Sequence, residues 1–564
     1  MSGKVRTALI TILIAIALAA VAAVGFGLWR YFQQKNDPAN QIRSPQITGE
    51  VTYAGVEKGR TDANALIGSL TANGNPMIYD AGNDVYYLSV ADEAIGNETG
   101  VAFAAESADG SAVNMVFRDT VDQYSWFRPE NNRAYFLRVY NETEYQSATV
   151  VITTMPFLSI ETKNGAAIGD GDTECTLTLL DGNWEKHGTA AYTSSAAHIH
   201  VRGASSRSYP KKPYRINLKT DDYAEQNKVS LLGLRVDDDW ILDAMYIDPT
   251  RMHNNLATEI WNTMSKGHYP TNNSPASKGE YVEVILNGEY VGLYDLLEPV
   301  DRKQLDVDPE KGLIIKTNDW NGTYFEKVEG YPSSTVWMGF EVTYPKEKVT
   351  TATWGDFYDL VEATSTARKD PEYFEQWAEK FDVENITDYW LWLTVFSLRD
   401  NRGKNLYWST LNTEDENAKY YMTPWDCDLA FGYRFGKNET TLLDVQHHRD
   451  HYENDYIDDF RLVTEYLRAD LNGSRKTVQN KWKTLSAEGG VLNLDSVLQR
   501  IRETRKYLDD TGAWARELER WPDSMNPDPD EEFEYMEQWL VGRYQWMEGR
   551  IEEMMNGFEY DEKK

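Results

Sequence analysis

Cysteine is nearly absent from this sequence: Cys175 and Cys427 are the two in 564 residues. That excludes a disulfide scaffold and a cysteine-rich zinc site, and two free thiols are the expected state. Positive charge is also scarce, with 57 Lys and Arg against 90 Asp and Glu and a net charge of −33. Such a surface repels nucleic acid and favours basic partners. Internal repeats and long low-complexity runs are missing, which argues against a solenoid or a disordered chain. A long uncharged apolar run occurs once, from Ala8 to Leu28. It matches the roughly 20 residues a transmembrane helix needs and exceeds the apolar core of a cleaved signal peptide. Lys4 and Arg6 precede it, and Trp29, Arg30 and Tyr31 follow as interface anchors do. Residues 1–30 are therefore expected to be an uncleaved single-pass anchor, with a polar linker over 31–46. The soluble body is expected outside the cytoplasm, although positive charge on both flanks leaves the opposite orientation open.

Aromatic residues are plentiful, with 18 Trp and 35 Tyr, so large cores can be built. The length calls for two or three domains. From residue 47 to 154, short β-branched and aromatic runs such as Val85–Val90, Tyr135–Tyr140 and Ala148–Thr153 alternate with Gly, Asn and Asp turns. This predicts a small all-β, sandwich-like module without a catalytic constellation. From Met155 the strands lengthen. His198 and His200 alternate with apolar residues and read as strand-surface histidines. Trp240–Ile247 reads as a strand, and Asp248-Pro249-Thr250 as the start of a helix to about Met264. Asn287-Gly288 joins two strands in a tight hairpin. After Glu298 the apolar spacing becomes helical, over Trp354–Thr366, Glu372–Lys380, Ile386–Leu398, Asp458–Ala469, Asn472–Leu485, Leu494–Arg516 and Glu531–Met555.

The chemistry is concentrated in one place. Asp400 is followed by Asn405 in an Asp-x-x-x-x-Asn pattern, and Asp426-Cys427-Asp428 comes after an aromatic strand, a polar turn and a return strand. An antiparallel pair brings the start of one strand beside the end of the other, so Asn405 and Asp426 should meet. Protein kinases place a catalytic Asp and metal-holding Asn and Asp in this way. Magnesium takes hard oxygen ligands and keeps some water, so one Asn, one or two Asp and the ATP phosphates suffice. Asp and Asn are also common turn residues, and only the hairpin and the second Asp lift the pattern above chance.

The chain resembles the spore coat protein H (CotH) kinase family over about Met155 to Asn556. The matching pieces, in order, are RGASSRSYPKKPYRINL, SLLGLRVDDDWIL, DPTRMHNNLATEI, VEVILNGEYVGLYDLLEPVD and RDNRGKN with WDCDLAFG. The resemblance implies an α+β, protein-kinase-like fold of two lobes, the β-rich one over 155–298 and the α-rich one over 299–556, with an acidic tail at 557–564. It implies transfer of phosphate from ATP to Ser or Thr of a partner protein with Mg2+ or Mn2+, and an acidic surface suits a basic, Ser-rich substrate. The alternative is a non-catalytic surface or spore-coat interaction protein on the same scaffold. Within the resemblance, Arg202, Gly203, Ser205 and Ser206 form a turn over the phosphates, and Lys211 or Lys212 pairs with them. Glu259 holds that lysine, and Glu298 lies at the lobe junction near the adenine. Asp400 is the base, with Asn405, Asp426 and Asp428 as metal ligands. His253 stands where a basic Arg is expected in the family's helix, which weakens a phosphate role there.

Overall fold

The computed structural model describes residues 42–43, 46–47, 51–97, 99–118, 128–318, 328, 330–332, 334–346, 349–398, 400–433, 460–526 and 528–558. The apolar run from Ala8 to Leu28 lies outside them. Among the described residues no helix is long and apolar enough to cross a membrane.

The first module holds β1 (Ile42–Arg43), β2 (Thr61–Asp62), β3 (Ile67–Ala72), β4 (Asn75–Pro76), β5 (Ile78–Asp80), β6 (Val85–Ser89), β7 (Val101–Ser107), β8 (Asn114–Phe117), β9 (Arg133–Tyr140) and β10 (Glu144–Thr153). They form one sheet ordered β1-β7-β3-β4 and another ordered β5-β6-β10-β9-β8, with β2 also on β10. In β7 the residues Val101, Phe103 and Ala105 are buried while Ala102 and Glu106 face out, the alternation of a half-buried strand. Both sheets contribute to one core that includes Leu70, Phe103, Phe117, Leu137 and Val150.

Seven strands follow: β11 (Phe157–Thr162), β12 (Thr173–Leu180), β13 (Tyr192–Val201), β14 (Tyr214–Lys219), β15 (Asp239–Asp243), β16 (Gly279–Leu286) and β17 (Glu289–Leu297). They close into a barrel ordered β11-β12-β13-β14-β15-β17-β16. The seam is a parallel pairing of β11 with β16. Leu177, Ile199, Ile216, Trp240, Val284 and Leu296 belong to its core. Local patterning gives the strands but not their closure, which rests on a pairing far apart in sequence. His200 pairs with Asp172 at 2.8 Å and His198 stacks on Tyr223, as strand-surface histidines do. Both cysteines are free and buried. Asn287 and Gly288 have φ of 51° and 77°, as a two-residue hairpin turn requires.

The strand expected over Trp240–Ile247 stops at Asp243. Beyond it, the Asp248 carboxylate accepts from the Thr250 N–H at 2.8 Å and the His253 N–H at 2.6 Å. This turns the chain into α2 (His253–Met264), the second helix after the short α1 (Trp184–His187).

The remaining chain is α-rich but carries a five-stranded sheet ordered β19-β20-β18-β21-β22. Its strands are β18 (Leu313–Thr317), β19 (Val336–Trp337), β20 (Phe340–Tyr344), β21 (Leu406–Thr410) and β22 (Tyr421–Pro424). Its helices are α3 (Thr351–Thr366), α4 (Pro371–Ala378), α5 (Val383–Phe396), α6 (Arg461–Arg468), α7 (Ser474–Leu485), α8 (Leu494–Asp510), α9 (Ala513–Arg520) and α10 (Pro529–Met555). At the outer edge of β22, Asn385 of α5 donates to the Met422 carbonyl at 3.1 Å and accepts from its N–H at 2.7 Å. The mixed α+β class is as expected, whereas the closed barrel and the extent of this sheet were not anticipated.

One expected helix is two. The segment Leu494–Arg516 breaks at Gly512, whose φ is 73° and whose added Cβ would lie 2.2 Å from Asn132. The break turns α9 along β17. There Arg520 Nε donates to the Tyr290 carbonyl at 3.0 Å, Trp521 Nε1 to the Val291 carbonyl at 2.9 Å, and the Leu293 N–H to Glu517 Oε2 at 2.8 Å. Gly292 lies under this contact with φ 123°, and an added Cβ would stand 2.5 Å from Glu517 Oε2 and 2.9 Å from Trp521 Nε1. Gly292→Ala should therefore lower stability by about 2 kcal/mol or more, against about 0.5 kcal/mol or less for Val236→Ala at a largely exposed position, measured by thermal or urea unfolding.

Candidate active site

The β21–β22 hairpin pairs Leu406 with Pro424, and the Trp425 N–H donates to the Asn405 carbonyl at 3.0 Å. This brings Asn405 to the Asp426 turn, as the spacing predicted. Asp400 opens a short helical turn over Asp400–Arg402. Its carboxylate accepts from Asn405 Nδ2 at 3.4 Å and lies 3.6 Å from Lys404 Nζ. Asn405 Nδ2 also donates to the Asp426 carbonyl at 3.3 Å.

One buried side chain fastens these turns together. Asn401 is 1% exposed, and its Nδ2 donates to the carbonyls of Trp425 at 2.8 Å and Asn405 at 3.1 Å. Its own carbonyl accepts from the Tyr389 hydroxyl of α5. Asn405 and Asp426 have φ of 53° and 56°. Among residues with a side chain, Asn and Asp tolerate this left-handed conformation best. Both positions thus meet a backbone demand and a chemical one.

The barrel supplies the other wall. Asp243 ends β15 directly opposite Asp295 of β17. Burial, then the nearby Asp426, pushes its carboxyl up to about 6. Asn254, early in α2, donates to Asp243 at 3.5 Å and accepts from the Cys427 N–H at 2.9 Å. His253 donates from Nδ1 to the Asp428 carbonyl at 2.9 Å, a structural role for the residue standing at the basic position. Burial raises Asp428 well above the carboxylate range, and the neighbouring Asp426, Asp400, Asp243 and Asp248 add to it. Asp400 is raised by burial and by Asp426, with Lys404 opposing. Arg202 places its guanidinium 5.5 Å from the Trp425 ring and acts on Asp243 as a counter-charge. Gly203, at φ 96°, makes the turn after it, where a Cβ would strike Ser206 Oγ at 2.0 Å. Ser205 and Ser206 begin the short helical turn that follows.

Two expectations for this region need correction. Glu259 does not hold a lysine. It sits on the outer side of α2, half-exposed, and its partner is Arg500 of α8 at 3.5 Å. The lysine's carboxylate comes instead from α9, where Lys211 Nζ donates to Glu517 Oε1 at 2.7 Å with both side chains fully buried. Lys211 is therefore tied to α9, and it also acts on Asp243 as a counter-charge. Lys212 is more open and donates to the carbonyls of Arg207 and Tyr209. Glu298 is 4% exposed and accepts from the Arg235 N–H at 2.7 Å. With Glu259 it lines a cleft of about 1000 Å3 whose lining includes none of Asp400, Asn405, Asp426 and Asp428.

Among the described residues, no three His, Cys, Asp or Glu side chains form a group that could hold a metal. The donor set fits a cation held jointly with phosphates: hard oxygens from Asn405, Asp426 and Asp428, with acids that raise one another. Sequence reading missed Asp243, Asn254, Asn401 and Glu517. An acid ending the apolar strand Trp240-Ile-Leu-Asp243 was the one local signal.

A family model described as CotH kinase protein matches residues 199–547, more than half of the chain. The chain belongs to the CotH kinase protein family. The match spans the last strands of the barrel, both acidic turns and α9, while the first β module lies outside it. Among curated proteins none matches this CotH chain.

The acids give a pH test. Asp243 takes up a proton at about 6 when folded, against about 3.9 when unfolded. Between these values the folded state binds more protons, so stability falls as pH rises through the window. Without divalent cations, the wild type should lose up to roughly 3 kcal/mol from this group between about pH 4 and 7. Asp243→Asn should lose less, as read by urea unfolding at each pH.

Proposed function

We propose that this CotH family member is an ATP-dependent protein kinase that transfers the γ-phosphate to a Ser or Thr hydroxyl of a partner protein. The observation that carries the reading is the Asn401 staple, which fixes the Asp400–Asn405 turn against the Asp426 turn. The divalent cation, when bound, neutralises phosphate charge and orients the transferred group. Asn405 and Asp426 are the residues to hold it, with Asp428 as a further ligand or as the group that orients them. Asp400 lies within reach of both and accepts the proton of the substrate hydroxyl. Burial raises its proton affinity, in the direction a general base requires. Lys404 keeps it oriented.

The turn from Arg202 through Ser206 offers a guanidinium and backbone N–H groups to the phosphates. Lys212, whose ammonium rests on the carbonyls of Arg207 and Tyr209 at the end of that turn, is the lysine to join them, since Lys211 is committed to Glu517. A net charge of −33 favours a basic, Ser-rich protein substrate. The apolar run Ala8–Leu28 would tether the enzyme to a membrane as a single-pass anchor.

The test is phosphotransfer from ATP with Mg2+ or Mn2+ to a basic, Ser-rich protein. Asp400→Asn and Asp426→Asn retain side chains suited to their backbone, so their melting temperatures should stay close to that of the wild type. Each should cut transfer by at least about a hundredfold. A wild-type protein with no metal-dependent nucleotide binding would overturn the kinase reading in favour of a surface interaction protein.

A further inference from the structure

Glu517 lies on α9, far along the chain from the acidic turns, yet an unbroken series of hydrogen bonds joins them. Its Oε1 accepts from Arg251 Nε at 3.0 Å as well as from Lys211. Arg251 is fully buried and has φ 57°. Its Nη1 donates to the carbonyls of Met245 at 2.7 Å, Tyr246 at 3.1 Å and Asp248 at 2.5 Å, and its Nη2 to Ser524. One guanidinium therefore shapes the whole turn between Asp243 and α2. The Asp248 carboxylate in that turn accepts from the His253 N–H. His253 and Asn254 then hold the Asp428 carbonyl and the Cys427 N–H.

The geometry points to Glu517 and Arg251 as positioning residues that set the Asp426–Asp428 loop, through the Met245–Asp248 turn and the start of α2. Neither touches the reacting groups. Helix α9 thus takes part in the transfer site without entering it. From the barrel side the loop is held by one amide and one imidazole, and the left-handed Asp426 has few alternatives once these neighbours shift. The catalytic consequence rests on the kinase reading above, whereas the mechanical link does not.

Hydrogen exchange on the full chain tests the link without nucleotide. In Glu517→Gln and Arg251→Lys, amides in peptides covering 245–254 and 425–431 should exchange faster by about tenfold or more, the scale of one lost charge-assisted hydrogen bond. Arg251→Lys keeps the charge on Glu517 but loses the fan of carbonyl bonds, so it decides the matter where Glu517→Gln fails to fold. Arg520→Met breaks a neighbouring bond of α9 to Tyr290 and serves as the control. It should lower the melting temperature without opening the loop. Faster exchange confined to 513–521 and 291–293, or equal opening of 425–431 by Arg520→Met, would make the ion cluster a brace only and overturn the proposal.

A second readout is the affinity for Mn2+ in the presence of ATP, followed by electron paramagnetic resonance. Weakening by about tenfold in Glu517→Gln supports the positioning role, and unchanged affinity overturns it. A wild type that binds no Mn2+ with ATP counts against the kinase reading, and the exchange data still decide whether α9 sets the loop.

Discussion

The structure turns on a carboxylate shared by two buried cations. Lys211, Arg251 and Glu517 are all sealed from solvent. Taking such charges out of water costs several kcal/mol per ion, and their attraction repays it only if the remaining donors and acceptors are satisfied. Here they are. Glu517 accepts from Lys211, Arg251 and the Leu293 N–H. Lys211 also reaches the Leu293 carbonyl and lies over the Tyr294 ring. Burial still draws the lysine down to about 8, against the pull of Glu517. Such a cluster adds little net stability but tolerates few alternatives, because removing one member strands the others. It ties the segment leading into β14, strand β17, the turn into α2 and helix α9 to a single arrangement.

Around that joint the site is assembled from short polar links. Asn401 holds the Asn405 and Trp425 carbonyls, and Asn254 and His253 hold the Asp426–Asp428 loop from the barrel side. The acids themselves repel. Asp243 and Asp295 face each other across adjacent strands, and burial lifts both. Hydrogen bonds therefore place the carboxylates where their own electrostatics would drive them apart.

Local physics was legible in the sequence, and long-range pairing was not. The β21–β22 hairpin follows from aromatic and β-branched runs around a polar turn, and the Asn287-Gly288 turn from the need for two positive φ values. The meeting of Asn405 and Asp426 follows from antiparallel geometry alone. Glu517 carries no local sign of its role: it sits in a charged helical stretch, Ala513-Trp-Ala-Arg-Glu-Leu-Glu-Arg520, that reads as solvated surface. Glu259, on a helix next to the lysine strand, was the more economical guess and was wrong because that face of α2 looks outward. Gly512 sits within Leu494–Arg516, the stretch expected as one helix. Its reason for breaking the helix, the approach of Asn132 from the first module, is a tertiary contact. Barrel closure likewise depends on the parallel pairing of β11 with β16, across a long stretch of chain.

The amide of Asn385 on Met422 has a further effect. It pairs with the outer side of β22 as another strand would, and the opposite border of that sheet, β19, is two residues long. The barrel, being closed, has no border at all. Among the described residues, a neighbouring chain therefore finds little of a free row of N–H and C=O groups on these two bodies from which to build a cross-chain sheet, the usual route by which strand-rich proteins aggregate.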